Sequence, residues 1–286
     1  MRLTTKIVIG IILSLLLLCL TLIIGYSFTD RKNYQGNYYS MQSIDIPQTD
    51  KTEVDLESYR VVVFMEQTND KSRFSTWYSS QANGLFIQTA TEKNKLVIPE
   101  ALKNFVSTQT NEDTLTVKIK MDEFLELYGY KDEAFEKGTK SGSKESITIS
   151  GLSIRLHTEN VNVINKLRGI KTQIDNLETD SIKIYASGEI VIDACKANVI
   201  EPLSRQKLSV TNSSAKAINL DLDQVSNWSI KDCDIEEQNM TGSKRNHNIT
   251  LTGTEKSKIN WAPKNKDAEL NIRIKGETAT ISYQIP

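Results

Sequence analysis

The 286-residue sequence has few of the residue types on which several protein classes depend. It contains three cysteines, two histidines, five prolines and thirteen glycines. Three cysteines do not make a disulfide framework, and so little proline and glycine excludes a collagen-like or low-complexity chain. Lysine and arginine total 35 against 36 acidic residues. The sequence therefore has no excess of positive charge, and we expect no nucleic-acid partner.

Charge is absent from one long stretch near the N-terminus. From Ile7 to Ile24 no residue is charged, and at about 1.5 Å per residue the segment 7–28 is long enough to cross a bilayer core of about 30 Å. A cleaved signal peptide has a shorter apolar core and a small-residue cleavage site, which this segment lacks. Residues 1–28 therefore predict an uncleaved signal-anchor, in preference to a cleaved signal peptide or a buried core helix.

The flanking charges set the expected orientation only weakly, because basic residues lie on both sides of the apolar segment. A large polar region behind a short basic N-terminus is usually translocated. We expect a single-pass protein of the bacterial cytoplasmic membrane that contacts the lipid bilayer through 7–28. Its C-terminal domain would be periplasmic, joined by a polar, tyrosine-rich linker over 29–50.

The rest of the sequence follows the two-residue periodicity of β-strands. Residues 51–146 predict an N-terminal β region with one short helix within 122–136 and a loop over 137–146. From 147 to 286 the predicted strands are short and numerous, as in SIKIYA, KLSVTN and NITLTG. The pattern predicts an all-β protein.

Apolar residues of the C-terminal half recur at a nearly constant step of about 20 residues. They form two series, of which the second is offset from the first by half a period. The first series is Val210, Ile230, Leu251 and Ile272, and the second is Leu220, Met240, Trp261 and Ile281. The two series predict a β-solenoid over 147–286 with two or more short strands per coil. A β-sandwich is the alternative, although its loops vary more in length. Upstream the step widens to 26 between Ile184 and Val210, which we assign to an insertion at 197–206.

Cys195 and Cys233 are separated by close to two such coils. Coils stacked at about 4.8 Å would separate equivalent Cα atoms by about 10 Å, whereas a disulfide needs them within about 7 Å. The spacing predicts two free thiols.

Four carboxylates are the strongest candidates for a metal-binding or catalytic site. Asp221 and Asp223 share one face of a predicted strand, and Asp232 and Asp234 follow close behind. Stacked coils could gather these oxygens as calcium ligands or as an acid pair for polysaccharide cleavage. The interpretation we prefer is a solvated face, in which alternating aspartates keep a strand soluble and discourage edge pairing. No catalytic residue and no cofactor is predicted, and calcium is the one alternative.

The two histidines are expected to be surface residues. His157 is predicted to end a strand, and His247 lies in the polar segment SKRNHN, which predicts a solvated loop. Neither has a second ligand at metal-binding spacing.

Two stretches carry a family resemblance. The segment SIKIYASGEIVIDA (181–194) resembles the strand, Ser-Gly, strand step of the GIN-type adhesin-like head domains of bacterial envelope proteins. The strands in YRVVVFME, KLVIPE and TLTVKIK resemble the leading strands of that family. The resemblance covers 51–286 and implies a head of β-repeats, with no established catalytic residues to carry over.

These observations lead to two functional expectations. The first is a non-enzymatic, structural or adhesin-like interaction protein that presents a β-solenoid to an envelope protein or glycan. The second is an envelope polysaccharide-active enzyme or calcium-dependent glycan-binding module that uses the four aspartates.

Overall fold

The computed structural model describes residues 42–67, 74–79, 83–90, 93–127, 145–159, 161–225, 227–252, 257–275 and 280–283. The predicted membrane segment 7–28, most of the predicted linker and most of the predicted loop 137–146 lie outside the described residues. Within the described residues, no helix has the length and apolar character needed to cross a bilayer.

The described residues form mainly short β-strands, so the all-β prediction is confirmed. Two short helical segments are present in this part of the chain, a 3-10 helix at Glu100–Phe105 and α1 at Met121–Leu127. The strands, in chain order, are β1 Gln42–Asp45, β2 Lys51–Asp55, β3 Val61–Glu66, β4 Phe74–Tyr78, β5 Gly84–Gln88, β6 Lys95–Pro99, β7 Val106–Asn111, β8 Thr114–Ile119, β9 Glu145–Ser150, β10 Ser153–His157, β11 Val161–Asn165, β12 Lys171–Asp175, β13 Glu178–Ala186, β14 Ile190–Asp193, β15 Lys196–Ser204, β16 Leu208–Thr211, β17 Ser214–Asp221, β18 Trp228–Lys231, β19 Asp234–Gly242, β20 His247–Thr252, β21 Lys258–Pro263, β22 Leu270–Lys275 and β23 Thr280–Tyr283.

Successive strands from β11 to β19 join two sheets alternately. A ten-stranded sheet has the order β23-β21-β19-β17-β15-β13-β11-β3-β8-β7, and an eight-stranded sheet has the order β18-β16-β14-β12-β5-β10-β6-β2. The neighbours among the later strands of both sheets pair in parallel. Strands β1, β9 and β4 form a third sheet, and β20 pairs with β22 in a fourth.

The two large sheets share one hydrophobic core. Alternate residues of each strand are buried, since successive side chains of a strand point to opposite faces. Ile182 and Ile200 of the ten-stranded sheet belong to the same buried cluster as Ile174 and Ile192 of the eight-stranded sheet. Outward positions of these strands are exposed or half-buried.

The ladder register confirms part of the predicted repeat. Val210 pairs with Ile230, and Met240 pairs with both Leu220 and Trp261. These three pairs are steps that the two apolar series predict.

Three predicted steps are wrong. Ile230 and Leu251 lie in strands of different sheets. Leu251 pairs with Ile274 instead of Ile272, and Ile281 pairs with Ile259 instead of Trp261. Each of the last two errors is a shift of two residues, which keeps the same face of a strand and so leaves the apolar pattern unchanged.

The predicted insertion at 197–206 is also wrong, because most of that segment is β15. Ile184 pairs with Pro202, whereas Val210 pairs with Ile192. The apparent step of 26 therefore compares residues of two different sheets. The true ladder step here is the shorter one from Ile184 to Pro202.

The Ser187–Gly188 turn carries the chain from β13 to β14, and thus from one sheet to the other. A Cβ at position 188 would overlap the carbonyl oxygen of Ile170. The close approach of these two backbones requires glycine at this turn.

Strands and helices from the N-terminal β region close one end of the core. β3 pairs with β11, and β5 pairs with β10 and β12, so this region shares its sheets with the repeats. α1 begins at Met121, one residue before the predicted start, and buries Phe124 and Leu125. Phe124 packs edge-on against Phe105 with ring centroids 5.5 Å apart.

Candidate functional site

The four predicted aspartates lie at two separate places. Asp221 ends β17 and Asp223 lies in the following turn, whereas Asp234 begins β19 beside Ser214. Asp221 is seven positions further along β17 than Ser214, or about 23 Å at about 3.3 Å per residue. Asp232 lies in the turn before β19, with a left-handed backbone φ of 53°. The described residues contain no group of three or more metal-ligating side chains, so the four carboxylates do not form one site.

Asp221 and Asp223 bind a lysine that the sequence did not single out. The ammonium of Lys264 lies 2.6 Å from Asp221 Oδ1 and 3.1 Å from Asp223 Oδ2. Asp223 Oδ1 also accepts a hydrogen bond of 3.0 Å from the N–H of Ser243. An ammonium group thus lies between the two carboxylates and links the turn after β17 to the turn after β21.

His247 joins the same cluster, and its predicted place in a solvated loop is wrong. It begins β20 and is only 7% exposed. Its Nε2 accepts the N–H of Lys244 at 3.2 Å and lies 3.4 Å from Asp223 Oδ1. The ring packs edge-on against Trp261, with centroids 5.9 Å apart. A Cβ at position 242 would overlap Nε2 of His247, so glycine at this position leaves room for the ring.

The electrostatics of this cluster follow from burial and from these contacts. Burial opposes ionisation of Asp223, but the Ser243 hydrogen bonds and Lys264 outweigh it and lower the pKa of Asp223 to about 2. Burial lowers the pKa of His247, although the Asp223 carboxylate partly offsets it. The hydrogen bond to Asp221 is the main cause of a raised pKa at Lys264. A neutral imidazole therefore lies beside an ionised carboxylate and a charged ammonium.

These four side chains bind one another across neighbouring turns. Their contacts favour a structural role, in which Lys264 and His247 join turns that are distant in sequence. His157, by contrast, ends β10 as predicted.

A different surface gathers polar groups in a regular array. On the outward face of the ten-stranded sheet, six residues of six successive strands form what we call the polar column: Asn162, Lys183, Glu201, Asn219, Asn239 and Asn260. Adjacent strands are about 4.8 Å apart, so the side chains are evenly spaced. All six are exposed or half-buried.

Hydrogen bonds order the polar column along its length. Asn239 Nδ2 donates to Asn219 Oδ1 at 2.9 Å, and Asn260 Nδ2 donates to Asn239 Oδ1 at 2.7 Å. Asn219 donates to Glu201 Oε1 at 3.0 Å, and Glu201 binds Lys183 at the same distance. The lysine contact is the main cause of a lowered pKa at Glu201, so this carboxylate is ionised at neutral pH.

A shorter apolar column lies two residues further along β11, β13 and β15 and continues onto β3. It consists of Val63, Ile164, Tyr185 and Leu203, which occupy neighbouring ladder positions. All four are half-buried on the outward face, and each lies between two inward positions of its strand. The apolar column therefore flanks the polar column at Asn162, Lys183 and Glu201. It does not flank the three asparagines, which are followed two residues on by Asp221, Thr241 and Ala262.

Sequence reasoning missed the polar column, although a signal for it exists. Asn219, Asn239 and Asn260 each directly precede a member of the second apolar series. They therefore repeat at the same step but on the opposite face of their strands. The apolar, inward-facing residues dominate the periodicity of the sequence and mask the outward series of asparagines.

The two described cysteines carry free thiols, and their place in the fold explains why. Ser213 occupies the equivalent turn position between them and accepts the N–H of Cys195 at 3.0 Å. Cys195 and Cys233 are thus two ladder steps apart, about 10 Å, which is too far for a disulfide. Burial raises the pKa of both thiols.

No protein-family model and no curated protein matches the sequence. Solved structures with a distant likeness include a "putative lipid binding protein" from Parabacteroides distasonis ATCC 8503, with a TM-score of 0.38 and 11% identity. Two proteins named "putative adhesin", from P. distasonis ATCC 8503 and from Parabacteroides merdae ATCC 43184, have TM-scores of 0.33 and 0.31 at 10% identity. Each alignment covers 85% of this chain and 100% of the other.

Proposed function

We propose that this protein is a non-enzymatic, adhesin-like interaction protein of the bacterial envelope that binds a glycan on the outward face of its ten-stranded sheet. The observation that carries the proposal is the polar column, flanked by the apolar column on β11, β13 and β15. In this proposal residues 7–28 anchor the protein in the cytoplasmic membrane and the β-domain is periplasmic. The resemblance to GIN-type head domains agrees with this role but remains a prediction.

We also infer that the repeats form a β-solenoid, in which each coil adds one strand to each large sheet. Three observations support this architecture: the alternation of strands between the sheets, their parallel pairing, and the nearly constant ladder step. A β-sandwich of the immunoglobulin type has antiparallel sheets, which do not fit the parallel ladders. A solenoid suits the proposed role because its ladder holds outward side chains at fixed spacing.

Glycan chemistry matches the two columns. A sugar ring presents an apolar C–H face and a rim of hydroxyl groups, so it needs apolar contact and hydrogen bonds side by side. Tyr185, with the neighbouring Ile164 and Leu203, supplies the partly exposed apolar surface. Asparagine amides supply both donors and acceptors. A glycan that extends from the region where the two columns adjoin along the rest of the polar column would place successive sugar units over successive strands.

The test is binding of the full-length protein, in detergent micelles, to a panel of envelope and host polysaccharides. We expect at least one glycan to bind, and expect Asn239→Ala to weaken its binding about two- to tenfold, since one net hydrogen bond contributes about 0.5–1.5 kcal/mol. Gln173→Ala, on the outward face of the eight-stranded sheet, is the matched control and should bind as the wild type does. Failure to bind any glycan in the panel, or an equal loss in the control variant, would refute the proposal.

A further inference from the structure

A cleft opens on the ten-stranded sheet where the polar column approaches the N-terminal strands. Its volume is about 370 Å³. Two of its lining residues, Asn162 and Lys183, belong to the polar column and pair with each other across the ladder. The full lining consists of Arg60, Val61, Asp113, Asn162, Ser181 and Lys183.

The cleft differs from the rest of the polar column in carrying two cationic side chains. Arg60 Nη1 lies 3.4 Å from Asp113 Oδ2, with side chains 80% and 67% exposed. Lys183 Nζ lies 3.0 Å from Glu201 Oε2, with side chains 49% and 37% exposed. Ion pairs this exposed contribute little to stability, so either cation can exchange its carboxylate for one from a ligand at small cost.

Neutral hydrogen-bonding groups lie beside these cations. The half-buried Asn162 and Ser181 are held by β11 and β13, which are central strands of the sheet. The amide of Asn162 supplies both donors and acceptors, and the hydroxyl of Ser181 supplies one donor. Cations beside neutral groups on a rigid sheet suit a ligand that carries both a carboxylate and hydroxyl groups.

We propose that this cleft is a subsite for an acidic sugar, a carboxylated hexose unit of the glycan that lies along the polar column. The inference rests on the proposed function and extends it from glycans in general to uronate-containing glycans. Arg60 and Lys183 bind the carboxylate, and Asn162 and Ser181 bind ring hydroxyl groups. The rest of the polar column, with its three asparagines, binds the neighbouring units.

The test compares the binding of a uronate-containing oligosaccharide with that of its carboxyl-reduced, neutral counterpart to the full-length protein. We expect the acidic form to bind about tenfold more tightly, with a preference that shrinks as ionic strength rises. The double variant Arg60→Gln, Lys183→Gln should bind both forms with the affinity of the neutral one. The Arg60 side chain is largely exposed and that of Lys183 is about half exposed, and circular dichroism checks that the β-structure is kept. Lys216→Gln, an exposed change on the same sheet outside the cleft, should keep the full preference.

The outcomes separate this inference from the proposed function. Equal binding of the two forms, with loss of both in Asn239→Ala, would overturn the acidic subsite and leave glycan binding intact. A preference that survives the double variant, or disappears in Lys216→Gln, would also overturn the subsite. Failure to bind any glycan would overturn both.

Discussion

Gln238 offers a direct test of how the core is held together. It lies in β19 with none of its surface exposed, and it pairs with Ile218 and Ile259 in the neighbouring strands. Neither Oε1 nor Nε2 of its amide has a hydrogen-bond partner in the described part of the chain. A buried amide in an aliphatic ladder should therefore lower stability, and Gln238→Met should raise it.

The expected gain follows from the cost of an unpaired polar group. A buried side-chain amide without partners costs about 1–3 kcal/mol, and methionine fills a similar volume without a polar amide. We expect the free energy of unfolding to rise by about 2 kcal/mol. For a domain of this size, that raises the Tm by about 4–8 °C.

Thermal and urea unfolding of the full-length protein, followed by circular dichroism, would measure this gain. The urea midpoint should rise while the m value stays constant. Gln173→Met, at a half-buried outward position, is the matched control and should change stability little. Gln238→Glu should lower stability, because it buries a charge. A Gln238→Met protein no more stable than the wild type would refute the reasoning.

Three further predictions concern the turns. Acid should destabilise the protein in two stages. Because the pKa of His247 is lowered in the folded protein, its contribution to stability is complete above the unfolded value of about 6.5 and is lost as pH falls from there through the lower folded value. The lowered pKa of Asp223 contributes stability that is lost from about pH 4 towards its folded value of about 2. A urea-midpoint titration should show the upper stage in the wild type and not in His247→Asn; a midpoint that rises on acidification would contradict the assignment. Ala194→Asn should raise the free energy of unfolding by about 1 kcal/mol, because Ala194 has a left-handed φ of 51°, which asparagine adopts more readily; an unchanged urea midpoint would count against it. Thiol titration of the unfolded, unreduced protein should find Cys195 and Cys233 both reactive, and a prior reduction step should not increase the thiol count from these two residues.

Much of the fold was predictable because strand periodicity is local. Alternating apolar residues identified strands such as Val161–Asn165, and the recurrence of Leu220, Met240 and Trp261 identified three residues that are neighbours in one ladder. The pattern could not determine the final register, because a slip of two residues keeps every side chain on its face. That is why Leu251 was matched with Ile272, although it pairs with Ile274.

The candidate site was less predictable, because its parts are distant in sequence. Asp221 and Asp223 were recognised as a pair, but nothing local indicated that Lys264 would lie between them. His247 was predicted to be solvated because its neighbours are polar. Its burial depends on the segment 243–246, in which the N–H of Lys244 binds the ring, and on the contact with Trp261.

The sequence by itself determined the composition, the charge balance, the β-periodicity and the approximate repeat. These properties depend on residues within a strand or one repeat step apart. Only the tertiary structure decided which repeats pair, which carboxylates meet a lysine and that Arg60 and Lys183 line one cleft. Those contacts depend on ladder register and on turns that bring distant segments together. The face proposed here to bind a glycan is therefore repetitive in sequence, but it becomes a surface only when the strands stack.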